Sequence, residues 1–279
     1  MDIFQKYSLE NDFIKIDYIP EYGGIITSFI DKSKNQEWVW YKEKKEKLID
    51  DYYDGSWTGG WEELFPCDFQ ESFSWGLSRD HGELWGRQWE IIDKSSNSIE
   101  LKIISKESST EFKKKFILNN DKFYCEYNAK IKFDDHFLFK LHLAIPNDNN
   151  YIKLENTDFT KVDDNFGNIY AEKNYKELVT NPSSKTKYYD FFYIENHNNQ
   201  IEVINKKTES KILLSFEEKT FPYFWLFQTQ GGWMDKNVSV LEPSTNSLKL
   251  IKDAVLQNGA IKGPIENFTT WYRIELSNV

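Results

Sequence analysis

From Phe123 to Phe133 every second residue is aromatic or apolar: Phe123, Cys125, Tyr127, Ala129, Ile131 and Phe133, with mostly polar side chains between them. Side chains that alternate between two faces define a β-strand with one buried and one wetter side. Ile14, Ile16 and Tyr18 repeat the pattern, as do Ile99, Leu101 and Ile103. Further strands are expected over 24–30, 211–216, 223–229, 238–242 and 270–276. The run from Phe137 to Ile145 follows Asp134-Asp135-His136, a turn pattern, and predicts a hairpin with the strand before it. One helix is expected, Ser247 to Gln257, where Leu248, Ile251, Ala254 and Val255 recur at helical spacing and Asn258-Gly259 supplies a stop. Many short strands and almost no helix predict an all-β chain, a large twisted β-sandwich. With 279 residues it fits a single domain over 1–279. No internal repeat or low-complexity linker interrupts it, and Asn181 to Lys187, the most loop-like segment, is too short to mark a boundary.

Half of the ten tryptophans fall in one stretch: Trp57, Trp61, Trp75, Trp85 and Trp89. The same stretch carries Gly59-Gly60, Glu62-Glu63, Asp68 and the run from Asp80 through His81, Gly82, Glu83 and Arg87 to Glu90. Tryptophan is rarely fully buried, because it is large and its indole N–H wants a partner. Indole faces among carboxylates, a histidine and an arginine suit a ligand that is part apolar and part hydrogen-bonding. A sugar fits that description. The alternative is a Trp-rich edge of the core with solvated charges beside it.

The formal net charge is −10, which argues against nucleic acid or an anionic membrane surface as the partner. Cys67 and Cys125 belong to no C-x-x-C pair, so zinc-ribbon and thioredoxin-like readings fail; free thiols are a simpler reading than one disulfide. Met1 to Glu10 has no basic segment followed by an apolar one, and no run of about 18 apolar residues exists. A cytoplasmic protein is expected, and the sequons at Asn237 and Asn267 are then chance matches.

Four segments, in order, resemble the galactose mutarotase-like (aldose 1-epimerase) superfamily. Pro20 to Phe29 is similar to its opening strand and glycine turn. Gly59-Gly60-Trp61-Glu62-Glu63-Leu64-Phe65-Pro66, followed by Asp80-His81-Gly82, resembles its glycine loop and first active-site histidine. Leu138-Phe139-Lys140-Leu141-His142 resembles the strand bearing the second histidine. Val240-Leu241-Glu242-Pro243-Ser244-Thr245-Asn246 is similar to the Glu-Pro motif that holds the catalytic base. Each motif alone is weak, and four in order are fairly specific. The resemblance implies a β-supersandwich. The spelling departs from the best-known galactose mutarotases: their first histidine follows Asn and precedes an arginine by three, whereas here Asp80 precedes His81 and the nearest arginine is Arg87. Their second histidine stands in His-x-Tyr-Phe, whereas His142 is followed by Leu143-Ala144-Ile145. The resemblance therefore names no particular hexose.

Anomer interconversion needs a base on the anomeric hydroxyl and an acid on the ring oxygen, each most useful with a pKa near the working pH. By the resemblance, His142 is the general acid and Glu242 the general base, and His81 hydrogen-bonds the ring-oxygen side. Arg87, Trp85 and Trp225 are candidates for hydroxyl contacts and stacking, and Glu62 and Asp80, from the same motifs, complete the substrate-binding set. No metal or organic cofactor is required, and the partner is a small sugar bound by a monomer or homodimer. His142 shares a strand face with Leu138, Lys140 and Ala144, opposite Phe137, Phe139, Leu141 and Leu143. Each assignment has a plainer alternative: His142 as a structural strand histidine, Glu242 as a solvated strand end, His81 as a turn residue, Arg87 as the partner of Glu83 or Glu90. His136 and His197 stand in polar turns and are expected to be exposed.

His81-x-Glu83 lacks the downstream Pro-Cys-x-x-Cys of a zinc deaminase. Glu62, Glu63 and Glu242 leave a glycosidase pair open, since carboxylate separation is not legible in sequence. No phosphate loop or dinucleotide fingerprint occurs. The rivals to a mutarotase are a non-catalytic carbohydrate-binding protein, an epimerase of phosphorylated sugars, and a carbohydrate lyase or hydrolase. The phosphorylated substrate ranks lower because the Trp-rich stretch offers only Arg79 and Arg87 as cations.

Overall fold

The computed structural model describes residues 4–43, 52–155, 159–163, 169–173, 177–179, 187–195 and 198–279. Among them, two large antiparallel sheets dominate. The larger has eleven strands: Tyr7–Glu10, Ile14–Ile19, Ile25–Asp31, Trp61–Leu64, Lys140–Pro146, Asn237–Ser244, Tyr223–Gln230, Tyr188–Glu195, Phe159–Asp163 and Ile169–Lys173 in spatial order, with Gln36–Glu37 beside Ile25–Asp31. The smaller has nine: Glu177–Val179, Asn150–Glu155, Gln200–Asn205, Ser210–Phe216, Ile265–Asn278, Lys122–Ile131, Glu111–Asn119, Ser98–Ile104 and Glu90–Lys94. The chain is all-β, as its alternation predicts.

Alternation decides which side chains meet between the sheets. Phe123, Cys125, Tyr127, Ala129 and Ile131 all face the main core, with Phe29, Phe112, Phe139 and Leu141 from other strands. The larger sheet is covered on both faces. Along Lys140–Pro146, Leu141, Leu143 and Ile145 enter the main core, and Ala144 joins a second cluster with Leu64, Leu138, Trp225 and Val240. Lys140 and His142 lie on that second side and face the cleft described below.

The expected hairpin does not form. Lys122–Ile131 pairs with Glu111–Asn119 and Ile265–Asn278, whereas Lys140–Pro146 pairs with Trp61–Leu64 and Asn237–Ser244 in the other sheet. The segment between them crosses from sheet to sheet, because Phe133, Phe137 and Phe139 are worth more buried in the main core than a local turn is. His136 is half-buried and pairs with Lys262 in a two-residue ladder, so it is not the exposed turn residue expected; His197 lies outside the described residues. Residues 181–186 of the loop-like segment are also outside them.

The helix is shorter than its periodicity suggests, spanning Ile251–Leu256. Leu250, the residue before the helix, is extended (φ −80°, ψ 124°), and Ser247 N–H donates to Gly259 O, so the segment turns helical only at Ile251. The stop is where the sequence puts it: Asn258 adopts φ 54° and Gly259 N–H caps Ala254 O. Cys67 and Cys125 are free and buried. No helix among the described residues is long and apolar enough to cross a membrane.

Candidate active site

Neighbouring carboxylates on one strand must point to opposite faces, and Glu62 and Glu63 do so. Glu63 turns into the main core, where the buried Lys114 ammonium lies 2.6 Å away and Tyr127 donates to it at 3.2 Å. Glu62 turns to the other side, opposite His142 in the strand register. There the Tyr53 hydroxyl donates to its Oε1 at 2.5 Å and lies 3.3 Å from His142 Nδ1.

His142 and Glu242 come from adjacent strands. The register pairs Lys140 with Ser244 and Leu143 with Leu241, which brings His142 Nε2 to 3.9 Å from Glu242 Oε1. Lys140, two residues before His142 on the same face, bridges two acids: its Nζ is 2.6 Å from Glu242 Oε2 and 2.5 Å from Asp68 Oδ1. All four residues are buried. Burial opposes the Lys140 charge, but Asp68 and Glu242 outweigh it and raise its pKa. One ammonium serves two carboxylates unequally. Burial would raise Asp68, yet Lys140, His81 and Lys249 together hold it far below the usual carboxylate range. Burial and the nearby Asp68 charge leave Glu242 raised despite Lys140. Burial, then Lys140 and His81, push His142 well below the ordinary histidine range, so its ring is neutral at pH near 7.

His81 occupies a left-handed turn, φ 57°, followed by Gly82 at φ 79°. A Cβ on Gly82 would lie 2.0 Å from Phe65 O, so only glycine fits the close approach that seats this turn. Asp80 takes the His81 Nδ1 at 2.9 Å and also accepts from Tyr53 N–H at 3.1 Å. The His81 ring stacks on Tyr53 at 4.0 Å.

These groups surround a cleft of about 220 Å³. Asp54, Asp68, His81, Lys140, His142, Glu242 and Lys249 give its polar lining, and Tyr53, Trp57, Phe191, Phe227 and Trp233 its aromatic walls. The indole N–H of Trp57 is buried without a hydrogen-bond partner.

Of the residues expected from the sequence, His142, Glu242 and His81 line this cleft. Glu62 and Asp80 stand behind Tyr53 and His81, joined to them by hydrogen bonds. The two tryptophans nominated for stacking lie elsewhere. Trp85 is buried, donates to Asp80 O at 2.9 Å, and carries the Arg79 guanidinium 3.6 Å over its ring. Trp225, the register partner of Glu242, is buried with Lys140 Nζ 4.9 Å over its ring. Arg87 lines a separate groove and pairs with Glu107 at 2.8 Å, not with Glu83 or Glu90. Trp61 and Trp89 belong to the main core, and Trp75 packs against its edge, so of the tryptophan stretch only Trp57 reaches the cleft.

Tyr53 and Lys249 belong to no motif, and Lys140 stands in the His142 motif without being singled out by it. Lys140 had one legible signal, its place two residues before His142 on the same strand face. Tyr53 and Lys249 had none, because folding alone brings them there.

Comparison with solved structures identifies the fold. A Synechocystis protein superposes with TM-score 0.78 at 18% identity, covering 100% of this chain and 97% of its own. A galactose mutarotase related enzyme of Lactobacillus acidophilus gives TM-score 0.73 at 14% identity, covering 98% of both chains. A GalM/aldose epimerase homologue of C. elegans gives 0.68 at 11%, covering 99% of both. The fold is that of the galactose mutarotase-like and aldose 1-epimerase structures. No protein-family model and no curated protein matches the sequence.

Proposed function

We propose that this protein is a mutarotase-like isomerase that interconverts the α and β anomers of a free sugar by opening and reclosing its ring. The observation that carries this reading is the buried pairing of His142 and Glu242, 3.9 Å apart in an aromatic-walled cleft. Two proton-exchanging groups that share one small cleft can serve the anomeric hydroxyl and the ring oxygen of the same molecule. Glu242, with its pKa raised by burial, suits the base. His142 exchanges the ring-oxygen proton. Tyr53, Trp57 and Trp233 offer aromatic surface for the sugar's C–H groups. The cleft is smaller than the roughly 300–1,000 Å³ of drug-sized sites, which favours a single sugar ring.

The test is proton NMR exchange between anomers across a panel of free aldoses, wild type beside Glu242→Gln. Accelerated exchange of one sugar, lost in the variant, supports the reading and names the substrate. Binding without exchange favours a carbohydrate-binding protein instead.

A second reading has one observation behind it. Lys140 and Lys249 both line the cleft, beside the carboxylates Asp54, Asp68 and Glu242, and neither lysine belongs to the tryptophan stretch. A sugar bearing an anionic group is the substrate under that reading, and inhibition by inorganic phosphate would favour it.

A further inference from the structure

Tyr53 has one hydroxyl proton and two neighbours that compete for it. Glu62 Oε1 is 2.5 Å away and His142 Nδ1 is 3.3 Å away. When Glu62 is ionised it can only accept, so it takes the Tyr53 proton. The Tyr53 oxygen then faces Nδ1 as an acceptor, and His142 meets it with Nδ1–H. A neutral imidazole carries one N–H. Nε2, on the Glu242 side of the ring, is therefore a bare lone pair. When Glu62 is protonated the chain reverses. Its O–H donates to the Tyr53 oxygen, the Tyr53 proton turns to Nδ1, and Nε2 carries the hydrogen.

We infer that Glu62, acting through the Tyr53 hydroxyl, sets which ring nitrogen of His142 carries the proton, and so whether His142 offers the cleft a donor or an acceptor. Glu62 touches no substrate and is a positioning residue. The inference rests on the proposed isomerase reading only for its use. In that use, Nε2 gives its proton to the ring oxygen while Nδ1 takes the Tyr53 proton and Tyr53 takes the Glu62 proton. The imidazole ends neutral as the Nδ1–H tautomer, Glu62 ends as a carboxylate, and the ring oxygen holds the transferred proton. Reclosure on the other face runs the chain backward. A neutral histidine can thereby act as an acid without leaving a buried anionic ring behind.

The surroundings suit this switch. Burial pushes Glu62 up to about 7, against the Tyr53 hydrogen bond, with Glu63 raising it and Lys114 and His81 lowering it. His142 faces Lys140 on its own strand, His81 and Asp68 from the loops, and Glu242 from the next strand. Lys140 and His81 disfavour an imidazolium there, which leaves the two neutral tautomers as the states to be chosen between.

The experiment is long-range proton–nitrogen NMR of the ¹⁵N-histidine-labelled protein without substrate, from about pH 5.5 to about pH 9, a range that spans the expected titration. The chain has four histidines, and the His142 signal is the one lost in His142→Asn. The expected result is a change from Nε2–H to Nδ1–H as pH rises through about 7 in the wild type, abolished in Glu62→Gln and in Tyr53→Phe. A single His142 tautomer across the range in the wild type overturns the inference, and so does a change that persists in Glu62→Gln. The wild-type titration decides even if a variant fails to fold. Because no substrate is used, the outcome is separable from whether any sugar is isomerised.

Discussion

Lys140 Nζ lies 2.6 Å from Glu242 Oε2, both side chains buried, on adjacent strands of the larger sheet. The same ammonium reaches Asp68, so one lysine fixes two acids against the wall where His142 stands. Removing one partner of a buried ionic cluster leaves the others uncompensated, which costs about 3–5 kcal/mol. Lys140→Met is expected to lose that much stability in urea unfolding near pH 7. The pH dependence has a definite sign. Asp68, with a depressed folded pKa, contributes stability above its unfolded value near ~3.9 that is lost as pH falls through the folded value. Lys140, with a raised one, contributes below ~10.4 and loses it as pH rises through its folded value. An unchanged midpoint in Lys140→Met would show that the cluster is solvated.

Glu242→Gln and His142→Asn are each expected to slow anomer exchange by about 100- to 10,000-fold, the usual worth of a general acid or base. Sugar affinity, read by calorimetry, is expected to change little. Equal loss of binding and exchange would assign these residues to recognition instead.

Trp57→Phe keeps an aromatic wall and deletes the buried, unpartnered indole N–H. Because a buried donor without a partner costs about 1–3 kcal/mol, its removal is expected to offset part of the lost packing and leave thermal stability close to that of the wild type. A melting temperature lowered by more than about 8 °C would mean that the N–H has a partner in the folded protein.

Glu83 is buried away from the cleft, accepting from the Ser105 and Ser108 hydroxyls and from Ser108 N–H. Burial pushes it up to about 7 against those bonds. An acid whose folded pKa exceeds its unfolded value of ~4.3 keeps a proton that the unfolded chain has lost. Stability therefore falls as pH rises from about 4.3 to about 7, and Glu62 adds to the same slope. Glu83→Gln is expected to match the wild type near pH 5 and to exceed it by an amount on the order of 2 kcal/mol near pH 8. Parallel stability profiles for the two proteins would contradict this.

The tryptophan stretch marks how far composition reaches. It pointed to a ligand, and it does border the cleft, but through Trp57 rather than through Trp85. Trp61 and Trp89 serve the core, and no local pattern separates a tryptophan that packs from one that lines a cavity. The hairpin expected before His142 failed for a related reason. A turn pattern reports that the chain can reverse, whereas Phe133, Phe137 and Phe139 decide that it crosses to the other sheet.

The sequence by itself determined the all-β class and those strands whose period-two alternation is written residue by residue along the chain, and it marked His81, His142 and Glu242 through the resemblance of their motifs. It even put Lys140 on the face of His142. Only the tertiary structure decided that Lys140–Pro146 lies between Trp61–Leu64 and Asn237–Ser244, and that pairing is what opposes Glu62 to His142 and His142 to Glu242. It also decided that Tyr53, Asp68 and Lys249 converge on the cleft and that Arg87 stays away from it. Strand pairing across a hundred residues is selected by the burial of the whole core, a sum over distant contacts that no local window contains.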